Sequence, residues 1–149
     1  MFAMQLKAHH TPLEWVELPD PEPGPDEIRI RIGACGVCRT DLHVVDGELP
    51  HATLPIIPGH EIIGRIDKLG SNVTGLSVGE RVGVPWLGHT CGHCYYCTHG
   101  MENLCDHPLF TGFTRNGGYA TMTVADARYA FPMGDKGEDK DLAPLLCAG

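Results

Sequence analysis

Four closely spaced cysteines are the residues of this chain with the clearest potential for chemistry. Two intervening residues separate the first three from one another, and seven separate the third from the fourth: Cys91, Cys94, Cys97 and Cys105. The two-residue spacing lets neighbouring thiolates point at one ion from a tight loop, and Gly92 tolerates the positive φ angle that such a loop needs. Four thiolates with no open position are typical of a structural zinc site. The spacing therefore predicts a sealed zinc-binding lobe.

A disulfide framework and unconnected free thiols are the alternative interpretations of these cysteines. Seven cysteines in 149 residues are fewer than a disulfide scaffold carries, and the first residues lack the apolar segment and cleavage site of a signal peptide. His93 and His99 lie inside the lobe and could compete as ligands, although a four-cysteine site needs neither. We therefore expect metal binding, two solvated histidines and a reducing, cytoplasmic location.

A second set of potential metal ligands is spread along the chain. Cys38, His60 and Cys147 offer two thiolates and one imidazole, and three such ligands leave the fourth position of a zinc ion open for water or substrate. The wide spacing is weak evidence by itself, because a single cysteine is commonly a buried small apolar residue. An open metal site and plain core packing are therefore both compatible with these residues taken alone.

The charge of the chain excludes two classes of partner. The formal net charge is -8, whereas nucleic acids and anionic membrane surfaces are bound through clustered lysine and arginine. The sequence also has no run of 18 apolar residues that could span a bilayer. We therefore expect neither nucleic acid nor a membrane surface as the partner.

Short strands dominate the pattern of the chain. Apolar and charged residues alternate over 27–33, which predicts a half-buried strand leading towards Cys38, and a short helix is expected to follow and to stop at Gly47. Further strands are predicted at 62–70 and 78–86, and apolar segments follow at 119–124 and 129–131. A charged surface loop is predicted at 134–141 and the start of a helix at 141–149. With 19 glycines and 12 prolines, this pattern indicates a mostly β barrel or sandwich. The glycine fingerprint of a dinucleotide-binding unit does not occur in the sequence.

Four segments together resemble a known family. Gly36-Val37-Cys38-Arg39-Thr40-Asp41-Leu42-His43, Pro58-Gly59-His60-Glu61, the cysteine lobe and Leu145-Leu146-Cys147-Ala148-Gly149 resemble the zinc-dependent medium-chain alcohol dehydrogenases. The resemblance is closest to a bacterial branch similar to cinnamyl alcohol dehydrogenases. It implies that residues 1–149 form the N-terminal catalytic domain, a GroES-like, partly open β-barrel with a few short helices and a zinc-binding lobe. It also implies a Rossmann cofactor domain, which we expect after Gly149 and which this chain does not contain.

The resemblance assigns two zinc ions to the chain. Cys38, His60 and Cys147 would hold the catalytic ion, and Glu61 would approach that ion when its water leaves. The four lobe cysteines would hold the structural ion. Cys35 has no role in the family pattern, and we expect it to be a packing residue.

Three residues near Cys38 receive roles from the same resemblance. Thr40 would bind the alcohol oxygen and start a proton relay, and His43 would be its outer end, reached through the ribose of the cofactor. Asp41 would hold the His60 imidazole from behind. The alternatives are a helix cap for Thr40 and Asp41 and an ordinary surface position for His43.

Trp86 and Val45 are the expected pocket residues. Trp86 would narrow the substrate cleft, with core packing as its alternative role. Family members often carry a bulky aromatic residue where Val45 stands, so the pocket is expected to be wider and to admit aryl aldehydes.

The implied activity is hydride transfer between a zinc-bound primary alcohol and NAD or NADP, so the enzyme would be an alcohol dehydrogenase or aldehyde reductase. It would be a homo-oligomer when full length, whereas these 149 residues alone are expected to be inactive. A polyol or amino-alcohol dehydrogenase of the same superfamily is an alternative, although polyol-type members tend to use glutamate where Cys147 stands. A zinc-binding GroES-like module without catalysis is the other alternative.

Overall fold

Strands and a few short helices make up the computed structural model, which describes residues 1–147 and 149. The strands are β1 (Phe2–Gln5), β2 (Glu14–Glu17), β3 (Glu27–Gly36), β4 (Glu61–Leu69), β5 (Arg81–Val84), β6 (Leu87–His89), β7 (Leu109–Phe110), β8 (Met122–Asp126) and β9 (Phe131–Pro132). The helices are α1 (Arg39–Val45), α2 (Tyr95–Thr98) and α3 (Asp139–Leu142), with 3₁₀ turns at Glu102–Leu104, Ala127–Tyr129 and Ala143–Leu146. Ala148, part of the C-terminal motif, lies outside the described residues.

One five-stranded antiparallel sheet carries most of the fold. Its strand order is β8-β3-β4-β5-β9, and two-stranded sheets β1-β2 and β6-β7 lie beside it. The alternating residues 27–33 lie in β3 and form a half-buried strand as predicted, since Ile28 and Ile30 are fully buried while Arg31 is exposed. The sheets do not close on themselves. The prediction of a mostly β, partly open barrel with a few short helices is therefore confirmed.

Two apolar clusters stabilise this arrangement. The first fills the sheet with isoleucine and valine, the β-branched residues that pack well on a pleated surface: Ile28, Ile30, Ile62, Ile66, Val82, Val84, Ala125 and Ala130. The second comprises Leu6, Val44, Ile56 and Phe113, and it anchors α1 through Val44. Helix α1 therefore has a fixed position relative to the strand that leads into it.

The boundaries of α1 follow from its sequence. Cys38 is the residue before the helix, and Asp41 in the first turn accepts a hydrogen bond from the Cys38 N–H at 2.9 Å. The helix ends at Val45, and Gly47 follows with φ 67°, as the predicted stop requires. Cys38 is therefore held at the junction of a strand and a helix, with its backbone tied to a carboxylate.

Several predicted boundaries were wrong. The strand expected over 78–86 begins at Arg81 and is interrupted after Val84. The loop expected over 134–141 gives way to α3 at Asp139. None of the helices in the described part of the chain has the length and apolar character that crossing a bilayer requires.

A buried guanidinium holds the segment that precedes α3. Arg81 donates to the carbonyl oxygens of Gly134 at 2.6 Å and Gly137 at 2.8 Å, and to Asp139 Oδ1 at 3.2 Å. Its side chain is only 4% exposed, so these bonds replace its hydration. Since α3 and the turn Ala143–Leu146 come next, Arg81 also fixes the approach of the chain to Cys147.

We expect Arg81→Met to destabilise the protein by about 3 kcal/mol, because the hydrogen bonds that tie residues 134–139 to the buried guanidinium are lost. The matched control is Arg65→Met, since Arg65 pairs with Arg81 across β4 and β5 but is 52% exposed. The control should change the free energy of unfolding by less than about 0.5 kcal/mol. Urea denaturation measures both, and equal losses in the two variants would contradict this role of Arg81.

Candidate metal centres

The cysteine lobe brings four sulfur atoms together. The Sγ atoms of Cys91, Cys94, Cys97 and Cys105 all lie within 4.8 Å of one another. Cys91 Sγ and Cys97 Sγ are 3.9 Å apart, and Cys94 Sγ and Cys105 Sγ are 4.0 Å apart. Thiolates at 2.3 Å from a tetrahedral zinc ion lie roughly 3.8 Å from one another, so the spacing fits zinc. A disulfide needs sulfurs at about 2.05 Å, and all seven cysteines are free thiols.

Backbone N–H groups of the lobe point at the sulfurs. The Cys91 and His107 N–H groups donate to Cys105 Sγ, each at 3.3 Å, and the Cys94 N–H donates to Cys91 Sγ at 3.4 Å. Burial raises the pKa of the Cys105 thiol, but the donors outweigh burial and lower that pKa below its ordinary value. The backbone donors therefore favour a thiolate, the form of cysteine that binds metal, at Cys105, whereas burial raises the pKa of Cys97 to about 11.

Other predicted features of the lobe also have defined positions. Gly92 has φ 75°, so the backbone turns there as the sequence analysis expected. His93 Nδ1 bonds to the Cys91 carbonyl at 2.8 Å, and His99 Nδ1 bonds to the Tyr95 carbonyl at 2.7 Å. Both histidines are exposed and outside the sulfur cluster.

A buried carboxylate connects the lobe to the main sheet. Asp126, at the end of β8, bonds to His89 Nδ1 at 2.7 Å and to Arg128 Nη2 at 2.8 Å. Arg128 also donates to the Thr90 carbonyl, directly before the first lobe cysteine. Burial raises the pKa of Asp126, but the bonds from Arg128 and His89 outweigh it and lower that pKa. The sequence analysis missed this anchor, because its partners come from distant segments.

The second predicted ligand set also converges. Ligand atoms of Cys38, His60, Glu61 and Cys147 lie within 4.8 Å of one another, although the residues span more than 100 positions. Cys38 Sγ and Cys147 Sγ are 4.0 Å apart. Strand β3 leads to Cys38, the start of β4 carries Glu61, and the turn after α3 carries Cys147. We call these four residues the second cluster.

His60 presents one nitrogen to the second cluster. Its Nδ1 donates to Asp41 Oδ1 at 3.2 Å, whereas its buried Nε2 has no hydrogen-bond partner among the described residues. Burial lowers the pKa of His60, but the Asp41 carboxylate outweighs burial and raises it. A buried polar atom normally has a partner, and a zinc ion bound by Nε2 and the two nearby sulfurs would provide one. The second cluster therefore fits zinc.

The two thiols of the second cluster differ in acidity. The backbone N–H of Thr40 lowers the pKa of Cys38, whereas burial and the neighbouring Cys38 sulfur raise the pKa of Cys147. Glu61 is fully buried and packs so closely on β3 that a Cβ at Gly36 would lie 2.0 Å from its Oε2. Two thiolates and a carboxylate this close repel one another, so a cation in their midst would be stabilising.

The expected relay residues share one face of α1. Thr40 and His43 are three positions apart, and the Cys38 thiol donates to Thr40 Oγ1 at 3.8 Å. His43 Nδ1 forms a short hydrogen bond to Glu48, just beyond the end of the helix. Glu48 was missed in the sequence, because a glutamate in a turn carries no signal of its own.

Trp86 packs in the core and also borders the second cluster. Its ring stacks on the rings of Phe110 and Phe113, with distances between ring centroids of 5.0 and 5.7 Å, which is core packing. It also meets the His60 ring edge-on at 5.1 Å, so one side of it faces the second cluster. Val45 is half buried and packs against the cluster that contains Phe113. The contribution of these residues to a substrate pocket stays a prediction.

Cys35 lies among apolar side chains of the main sheet, as expected of a packing residue. Burial raises the pKa of its thiol to about 12, which makes it a poor metal ligand and a poor nucleophile at neutral pH. It belongs to neither cluster.

The sequence of the chain is similar to those of known alcohol dehydrogenases. Residues 24–135 match the family described as "Alcohol dehydrogenase GroES-like domain". A probable alcohol dehydrogenase AdhA of Mycobacterium tuberculosis is 48% identical over 143 residues, which cover 93% of this chain and 41% of that protein. The chain spans about two-fifths of the length of the curated relatives it matches.

Solved structures share the fold. The structure of CAD from Helicobacter pylori complexed with NADP(H) superposes with a TM-score of 0.89 at 28% identity, over 99% of this chain and 45% of that one. A cobalt- and zinc-bound thermostable alcohol dehydrogenase from Pyrobaculum aerophilum superposes with a TM-score of 0.88 at 34% identity, over 98% and 44%. The chain therefore belongs to the zinc-dependent medium-chain alcohol dehydrogenase family and has its GroES-like domain, which confirms the family prediction.

We expect Cys94→Ser to remove one bound zinc per chain and to lower the free energy of unfolding by several kcal/mol, on the order expected when structural metal binding is coupled to folding. Zinc analysis and thermal unfolding measure both effects. The control is Cys35→Ala, which removes a cysteine outside both clusters and should leave the zinc content unchanged. Full zinc content and an unchanged melting temperature in Cys94→Ser would contradict a structural metal in the lobe.

Proposed function

We propose that this chain is the catalytic, zinc-binding domain of an NAD(P)-dependent alcohol dehydrogenase or aldehyde reductase. The observation that carries the proposal is the second cluster, where two sulfurs and the unbonded Nε2 of His60 converge. Three ligands of these types leave one position for a substrate oxygen. The proposal includes a Rossmann cofactor domain after Gly149, because the relatives that match the chain are more than twice its length.

In the proposed reaction a primary alcohol enters beside Cys38, and oxidation to the aldehyde releases one proton and one hydride equivalent. Zinc would supply Lewis-acid polarisation of the substrate oxygen, and the nicotinamide would accept the hydride. The Thr40 hydroxyl takes the proton of the alcohol while passing its own outwards, because a hydroxyl both donates and accepts. The outer carrier would be His43, reached through the ribose of the cofactor, and Glu48 holds its imidazole through Nδ1, so that Nε2 can accept. Reduction of an aldehyde runs the same path in reverse.

Glu61 has a separate role in this proposal. Its carboxylate belongs to the second cluster and lies at the start of β4, next to His60 in sequence. We assign it to the fourth ligand position when no substrate oxygen is present. A buried carboxylate close to the ligand atoms of the cluster could take that position with little movement of the chain.

The proposed substrate class is based on the side chains beside the second cluster. Trp86 presents an aromatic surface to the second cluster and is supported by Phe110 and Phe113. Flat aromatic groups stack well on such a surface, and Val45 leaves more space than a larger side chain would. We therefore propose aryl alcohols and aldehydes as accepted substrates beside small aliphatic ones. A cytoplasmic location and a homo-oligomeric enzyme stay predictions.

We expect Cys38→Ala, made in the complete polypeptide, to lower kcat/KM for primary alcohols on the order of 10³-fold, because the polarising ion loses a ligand. The lobe zinc should be retained, so that the bound zinc falls from two ions per chain to one. Cys35→Ala, three residues earlier, should retain both ions and full activity. Substantial alcohol oxidation by Cys38→Ala would contradict the proposal. One zinc per chain in the unsubstituted protein would favour a module without catalysis.

Thr40→Ala should lower kcat by about 100-fold, since the first proton carrier is removed. Thr40→Ser retains the hydroxyl and should recover most of the activity. Steady-state kinetics on zinc-matched samples would measure both effects. Equal losses in the two variants would show that Thr40 acts through packing instead of proton transfer.

A further inference from the structure

We propose that Tyr119 is a positioning residue for the second cluster. Its hydroxyl holds the Asp41 carboxylate in place, and Asp41 in turn aims the His60 imidazole at the metal position. The inference rests on the proposed function for the identity of the bound ion, but its evidence is the hydrogen bonding of this chain.

The Asp41 carboxylate accepts four hydrogen bonds and is only 4% exposed. Oδ1 accepts from the Gly59 N–H at 3.1 Å and from His60 Nδ1 at 3.2 Å. Oδ2 accepts from the Cys38 N–H at 2.9 Å and from the Tyr119 hydroxyl at 2.9 Å. Tyr119 is therefore the donor that comes from neither of the ligand-bearing segments around Cys38 and His60.

The Tyr119 hydroxyl has a fixed position because its backbone is fixed. The Tyr119 N–H donates to the Pro58 carbonyl at 3.0 Å, and the Met4 N–H donates to the Tyr119 carbonyl at 2.7 Å. Its ring packs on Gly59, where a Cβ would lie 2.6 Å from the ring. Gly59 has φ 94°, so glycine is favoured there on both grounds. Tyr119 thus contacts both residues directly before His60, Pro58 through its backbone and Gly59 through its ring.

The chemistry of the phenol suits this role. Burial and the neighbouring Asp41 carboxylate raise the pKa of Tyr119, so the hydroxyl stays protonated and can donate. A carboxylate that receives bonds on both oxygens cannot rotate away from His60 without breaking several of them. Partners of this kind, which orient a metal-binding histidine from behind, typically change metal affinity 10- to 100-fold when they are removed.

Tyr119→Phe removes only the hydroxyl, and Tyr129→Phe is the matched control. The Tyr129 hydroxyl is also buried, but it bonds to Thr90 Oγ1 at 2.6 Å, on the lobe side of the molecule. Chelator competition with Co²⁺ and Zn²⁺ would measure the affinity of each cluster in the 149-residue chain. We expect Tyr119→Phe to weaken metal binding at the second cluster about 10-fold and to leave the lobe unchanged. Tyr129→Phe should stay within about two-fold of the unsubstituted protein at the second cluster.

A double-variant comparison distinguishes positioning from a general loss of stability. If Tyr119 acts through Asp41, adding Tyr119→Phe to Asp41→Asn should cause little further loss of affinity. The absorption bands of Co²⁺ at the second cluster should also shift in Tyr119→Phe and not in Tyr129→Phe.

Three results would overturn the inference: unchanged affinity in Tyr119→Phe, equal weakening in Tyr129→Phe, or full additivity with Asp41→Asn. A Tyr119→Phe chain that fails to fold while Tyr129→Phe folds would also overturn it, since the hydroxyl would then serve the fold and not the metal. If the unsubstituted protein binds no metal at the second cluster, the proposed function fails as well. If the second cluster binds metal and Tyr119→Phe does not change the affinity, the inference about Tyr119 is wrong and the proposed function still stands.

Discussion

A single buried carboxylate governs the geometry around the second cluster. Asp41 bonds to the Cys38 N–H, the Gly59 N–H, His60 and Tyr119, so its partners lie up to 78 positions away from it in the chain. A charged group that is removed from water must be satisfied by such bonds, which makes any rearrangement of these segments costly. The strand-to-helix junction at Cys38 and the loop before His60 are therefore locked to each other, whichever ion lies between them.

The two clusters are built in opposite ways, and this contrast suits the different work proposed for them. The lobe gathers four cysteines from one short stretch, so local loop geometry and the metal itself can define it. The second cluster needs the whole domain, because Cys147 arrives on a segment that Arg81 holds in place. A site assembled from distant, rigid elements can keep a ligand position open without collapsing, whereas a local loop closes fully around its ion.

The sequence predicted features that are encoded locally. Alternation over 27–33 identified β3, Gly47 marked the end of α1, and the cysteine spacing located the lobe. Tyr119 and Glu48 were missed because their roles depend on partners brought close only by folding, and neither leaves a periodic signal. The loop expected over 134–141 ends three residues early, at the start of α3, where Asp139 contacts the distant Arg81. Cys38, His60 and Cys147 were weak candidates on residue type and spacing alone, and the resemblance to a family strengthened the prediction that they form one site.

We expect the chain to hold two zinc ions in dissimilar surroundings, one enclosed by four sulfurs and one bound by Cys38, His60 and Cys147. Anomalous diffraction at the zinc absorption edge, recorded on crystals of the zinc-loaded protein, would locate both ions. Two peaks per chain are expected, one inside the lobe and one between His60 Nε2 and the sulfurs of Cys38 and Cys147. A single peak in the lobe, with the Cys38–His60 region empty at saturating zinc, would contradict this expectation.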